Sequence, residues 1–119
     1  IIGDFGLMLG GAAGYEFDRA DIAFGTPPHA LILAVASNFS EHYTHCIEEV
    51  NIMDPMQTGT TNPLVRAEMV YFETTNGGAV FSASSISYCG SLSHNNYDNN
   101  ISRITENVLN RFTSEEPIL

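Results

Sequence analysis

Three short stretches hold residues able to do chemistry. The first is "GGAAGYEFDRAD", residues 10–21, where small residues lead into Glu16 between Tyr15 and Phe17. A carboxyl flanked by aromatic rings can be desolvated, which favours its neutral form. Such a group can hold or pass a proton near neutral pH. The alternative is a solvent-facing acid or one paired with Arg19, with Asp18 and Asp21 as turn or cap residues. A phosphate loop is excluded, because that turn ends in Lys-Ser/Thr and opens a helix. Here the glycines lead into an acid instead.

The second stretch is "EHYTHCIEE", which holds His42, His45, Cys46, Glu48 and Glu49. On a helix His42, His45 and Glu49 would share a face, a ligand set that suits zinc or iron. On a strand His45 and Glu49 share a face and His42 turns away. Surface histidines are the plainer alternative. The third is "SYCGSLSHNNYDNN". Cys89 could act as a nucleophile with His94 as its base, or be a small buried thiol at a strand end. Ser91, Ser93, His94 and the asparagines make this a polar loop that lines a pocket or caps the following helix.

The elements that must position these residues follow from periodicity. Residues 1–28 are rich in Gly, Ala and Pro and read as an irregular lead-in, since Pro27 and Pro28 forbid helix. "LILAVAS", 31–37, is a continuous apolar run that suits a buried strand. Residues 43–50 fit strand or helix, and "MDPMQTGTTNP" reads as a loop. "AEMVYFETTNGGAVFSASSISY" predicts a hairpin over 68–88 turning at Asn76-Gly77, where both positions want positive φ. "NNISRITENVLNRF" puts Ile101, Ile104, Val108, Leu109 and Phe112 on one helical stripe, with Asp98 suited to its start and Arg111 to its end. A mixed sheet with so few helices implies that further chain, upstream or in a partner, completes the fold.

Composition narrows the partners. Fourteen acids face four bases, all arginine, for a net charge of −10 over 119 residues. That balance argues against nucleic acid and anionic membrane surfaces, which need clustered Lys and Arg. A basic partner chain or tolerance of salt fits it better. No apolar run approaches the roughly 18 residues of a membrane span, and no basic segment precedes an apolar one as in a signal peptide. Two cysteines, Cys46 and Cys89, make no disulfide framework, so a reduced, cytoplasmic setting is expected. The chain starts at Ile1 rather than Met, which reads as a fragment, a processed product or a trimmed chain.

Several long strings together resemble the C-terminal part of the large subunit of N,N-dimethylformamidase. They are "GGAAGYEFDRADIAFGTPPHALILA", "SNFSEHY" with "IEEV", "NPLVRAEMVYFETTNGGAVFS" and "YCGSLSHNNYDNNISRITENVLNRF", running from about Gly3 to Phe112. Tyr88 departs from the tryptophan expected before "CGSLSH". The resemblance implies a class I glutamine amidotransferase-like three-layer α/β domain. Residues 1–119 would be its C-terminal part, with a mixed sheet, a β-hairpin and a final helix, and the remainder would lie upstream. It implies hydrolysis of dimethylformamide to dimethylamine and formate, with a small partner subunit and the rest of the large subunit in a hetero-oligomer. It also implies a mononuclear iron held by two tyrosines and a glutamate upstream, so no metal ligand is assigned to Tyr15, Tyr71 or any other residue here. Glu16 matches a family glutamate that acts as acid and base. It would take a proton from water or give one to the departing amine, with His94 and Asn95 as pocket-wall residues and Cys89 no nucleophile. A non-catalytic assembly module is the rival reading.

Overall fold

The structure is a computed structural model that describes residues 1–47 and 52–116. Its five strands are β1 (Leu31–Ala36), β2 (Thr44–Ile47), β3 (Ile52–Thr58), β4 (Ala67–Glu73) and β5 (Ala79–Ser82), followed by one helix, α1 (Asn100–Thr113). The strands form a three-stranded sheet in the order β1-β4-β5 and a two-stranded sheet of β2 and β3. Every strand pairing among the described residues is antiparallel, which corrects the mixed sheet expected from sequence. The reason is the connections. β4 and β5 are joined by a tight turn, whereas a parallel neighbour needs a crossover of a dozen or more residues.

The lead-in is irregular as expected, with 3-10 turns at Gly11–Ala13 and Ile22–Phe24. Of residues 43–50, Thr44–Ile47 form strand β2 rather than helix, while Glu48, Glu49 and Val50 lie outside the described residues. The supposed loop from Met53 is half strand, since β3 runs to Thr58. Pro55 is tolerated there because the register jumps: Thr44 faces Thr58 while His45 faces Asp54, so Pro55 sits in a bulge, where its missing N–H costs no ladder bond.

The hairpin turns where expected, but its second strand stops at Ser82 and not at residue 88. Ser84 has φ 62, a left-handed conformation that ends the strand. Gly77 has φ 80 and Asn76 does not have positive φ. The Gly77 N–H donates to the Thr74 carbonyl at 3.1 Å and the Thr74 N–H to the Gly78 carbonyl at 2.8 Å. This is a three-residue loop closed by a left-handed glycine, not the two-residue turn with both positions left-handed.

Helix α1 is capped by Asn99, not Asp98: the Asn99 side chain accepts from the Ser102 N–H at 2.8 Å. The extended backbone of Asn99 (φ −154) places its oxygen over the first turn. The core is small: Ala12, Met69, Tyr88 and Ile101 form one buried cluster, with Phe5, Phe81, Leu92 and Ile104 packed at its edge. The apolar stripe of α1 is therefore only half used, since Ile101 is 1% exposed but Leu109 is 58% exposed. Strand β1, expected to be buried, leaves Leu31, Ile32, Leu33 and Val35 about half exposed (49–57%). Among the described residues it pairs along one edge only, with β4.

Candidate functional site

The segment that carries Glu16 is bonded to the three-stranded sheet at β4 and just beyond the end of β5. The Asp18 N–H donates to the Ser84 carbonyl at 2.8 Å, and the Glu68 N–H on β4 donates to the Asp18 carbonyl at 2.9 Å. Glu68 is buried, and its carboxylate accepts from Arg66 Nε at 2.7 Å and from the Ala20 N–H at 2.8 Å. A buried charge needs such company. Phe17 leaves Glu16 and stacks on Phe39 with centroids 4.2 Å apart, and Tyr43 packs against both rings.

The glycines of this segment serve packing rather than a ligand. A Cβ on Gly11, which has φ 68, would collide with the Gly3 carbonyl oxygen. A Cβ on Gly14 would collide with the Leu9 carbonyl oxygen. The run of small residues lets residues 3–14 fold back on themselves just before Tyr15.

Glu16 has φ 37, an uncommon conformation for a residue with a side chain. It costs on the order of 1–3 kcal/mol, which the surroundings must impose. The expected desolvation between aromatic rings is absent, because Glu16 is exposed and Tyr15 is 48% exposed. The alternative pairing with Arg19 is absent too: Arg19 Nη2 donates to Asp21 Oδ2 at 2.7 Å. Among the described residues no hydrogen bond or ion pair engages the Glu16 carboxylate.

Glu16 lines a cavity of about 1030 Å³ together with Arg19, His42, His45, Cys46 and Arg66. The strand therefore brings the second chemical stretch to the first. His45 is half-buried on β2 and Cys46 is exposed beside it. The metal reading of His42, His45 and Glu49 loses its helix, and Glu49 lies outside the described residues. Among the described residues no group of three or more His, Cys, Asp or Glu side chains could hold a metal ion.

The third stretch lies elsewhere. His94 stacks on Phe5 with centroids 4.3 Å apart and planes 19° from parallel. Asn95 Nδ2 donates to the Asp98 carbonyl at 3.0 Å. Asn95, Asn96 and Tyr97 are all left-handed (φ 49, 56 and 68), held by Asn99, whose Nδ2 reaches the His94 and Leu92 carbonyls. Neither His94 nor Asn95 lines the Glu16 cavity or the smaller one, of about 630 Å³, beside β1. Cys89 is exposed and not the buried thiol of the plainer reading.

Sequence reasoning missed what fixes Glu16 in place. The Gly14 N–H donates to Ser87 Oγ at 2.9 Å, and Tyr43 Oη donates to the Gly14 carbonyl at 2.8 Å. Ser85 Oγ donates to the Tyr15 carbonyl at 2.6 Å, and the Ile86 N–H to the Glu16 carbonyl at 3.2 Å. The serine run at 82–87 was the available signal, since hydroxyl side chains readily bond nearby backbone.

These features define a mixed helix-and-strand segment with an uncommitted carboxylate at a cavity. The family model described as "N,N-dimethylformamidase beta subunit-like, C-terminal" matches residues 1–99. The chain belongs to that family. It is 53% identical over 116 residues to the N,N-dimethylformamidase beta subunit of Paracoccus aminophilus. It is 52% identical over 116 residues to the protein of the same name from Alcaligenes sp. Each match covers 98% of this chain but 15% of the relative, so the chain spans about a seventh of the length of the relatives it matches. The assignment to a large subunit is thereby corrected: the family model and both relatives carry the name beta subunit.

Proposed function

We propose that this chain supplies a proton-carrying carboxylate, Glu16, to a complex that hydrolyses small N-substituted amides such as N,N-dimethylformamide. The observation that carries this reading is a carboxylate free of any ion pair, in a strained turn, at the edge of a cavity. Strain of that kind clusters at functional sites. The printed name of the relatives supplies the substrate class.

The chemistry asks for such a group. Hydrolysis breaks the C–N bond and adds the elements of water: hydroxide to the formyl carbon, a proton to nitrogen. Dimethylamide is a very poor leaving anion, so nitrogen must be protonated as the bond breaks. Glu16 as carboxylate takes the water proton and returns it to nitrogen, leaving dimethylamine and formic acid, which ionises to formate by losing its proton to the amine or to solvent.

Among the described residues no cluster of His, Cys, Asp and Glu offers iron a site. An iron cofactor, with its ligands upstream of this chain, stays part of the proposal. So do a larger amidotransferase-like catalytic domain, a cytoplasmic setting, and a hetero-oligomer with the rest of the beta subunit and another subunit. His94 and Asn95 keep their proposed place as pocket-wall residues, on a face that the remainder of the protein would close. Among the described residues no helix is long and apolar enough to cross a membrane.

The test uses the full-length protein. Glu16→Gln is expected to keep the fold and the iron content while lowering kcat by about 10²–10⁴-fold, the usual worth of general acid–base help. Glu16→Asp should be intermediate, and Cys89→Ser should change formate release little. Near-normal turnover of Glu16→Gln sinks the reading. The rival is then a non-catalytic assembly module, which the half-exposed apolar face of β1 favours.

A further inference from the structure

We infer that Tyr43, Ser85 and Ser87 form a hydroxyl latch that holds the Glu16 turn in its left-handed conformation, making them positioning residues for the carboxylate. This rests on the reading of Glu16 as the proton carrier. The Gly14 peptide is gripped on both sides, its N–H by Ser87 at 2.9 Å and its carbonyl by Tyr43 at 2.8 Å. The next carbonyl, of Tyr15, accepts from Ser85 at 2.6 Å.

Hydrogen counting gives the latch a direction. The Ser85 hydroxyl proton is given to the Tyr15 carbonyl, so the contact between Ser85 Oγ and Ser87 Oγ at 2.9 Å must be donated by Ser87. Ser87 Oγ in turn accepts the Gly14 N–H. The chain therefore runs one way: Gly14 N–H to Ser87, Ser87 to Ser85, Ser85 to the Tyr15 carbonyl. It starts and ends on the two residues before Glu16, and no hydroxyl proton is left over.

The three hydroxyls come from two separate places in the chain. Ser85 caps the 3-10 helix Ile86–Ser91, Ser87 is buried inside it, and Tyr43 precedes β2, whose His45 and Cys46 line the same cavity. The latch thus ties the turn that carries Glu16 to the 3-10 helix on one side and, through Tyr43, to a wall of its cavity on the other. An exposed side chain at φ 37 has no packing of its own to impose that backbone; hydrogen bonds to its flanking peptides are what remain.

The experiment is a double-mutant cycle in the full-length protein, read as formate release from dimethylformamide. Tyr43→Phe removes one hydroxyl and keeps the ring stack, and Ser87→Ala removes the central link. Each is expected to lower kcat by roughly 10-fold with KM nearly unchanged, the scale of a small misplacement of a reacting group. In the Glu16→Gln background the same changes should have almost no effect on kcat, because residues acting as one unit are not additive. Equal losses in both backgrounds overturn the latch, since a merely structural role does not depend on the carboxylate. If Ser87→Ala fails to fold, Tyr43→Phe alone carries the comparison. A wild-type kcat for Tyr43→Phe, while Glu16→Gln is impaired, also overturns the latch and leaves the carrier reading standing. An unimpaired Glu16→Gln overturns both.

Discussion

Tyr88 carries its hydroxyl into the core, where it is 6% exposed and lies 3.0 Å from Thr105 Oγ1 on α1. Burial pushes its phenol above the ordinary tyrosine value of 10.0, against the opposing effect of the Thr105 hydrogen bond. The folded state therefore holds this proton more tightly than the unfolded chain does. Its contribution is fully present below pH 10 and is lost as pH rises through the raised value. Tyr88→Phe in the full-length protein should cost about 0.5–1.5 kcal/mol at neutral pH, the net worth of one hydrogen bond. It should also flatten the loss of melting temperature above pH 10. An unchanged alkaline slope would show that Tyr88 does not titrate in that transition. The tryptophan that the resemblance led us to expect here could not form this bond in the same way, because an indole donates only from nitrogen.

The hairpin and α1 were legible in the sequence because their signals are local. Strand-forming residues flank Asn76-Gly77, and Ile101, Ile104 and Val108 recur with helical period. Gly77 tests the turn. A Cβ there meets nothing within 4 Å, so any penalty comes from φ 80 alone. Gly77→Val should destabilise by roughly 1 kcal/mol or more, since a β-branched residue resists positive φ. A denaturant titration that finds no change would count against the left-handed turn. What the sequence hid was non-local. Pro55 read as a loop residue because its bulge depends on the register with β2. The half-buried His45 entered the Glu16 cavity only through that same pairing. The hydroxyls that grip residues 14 and 15 come from 29 to 73 positions away, a distance over which spacing carries no signal. The rings beside Glu16 point to desolvation in the sequence, yet its exposure shows that backbone geometry is what distinguishes it.

Across the whole molecule, the described residues expose more large apolar side chains than they bury. β1 is the clearest case: a six-residue apolar strand with four half-exposed side chains and, among the described residues, bonds along one edge. Strands apolar on both faces belong in covered sheets, and an exposed apolar edge invites pairing with another chain. The relatives are several times longer than this chain, and in them further polypeptide is available to cover the matching strand. Residues 1–119 expressed alone should therefore melt broadly and bind a hydrophobic dye, because the buried cluster around Ile101 is too small to set a cooperative transition. In the full-length protein, amides on both edges of β1 should resist hydrogen exchange, including those pointing away from β4. If only the β4-facing amides are protected there, that edge is open in the intact protein. A sharp two-state transition from the isolated segment would refute the dependence on further chain, since cooperative unfolding requires that the segment hold its own core.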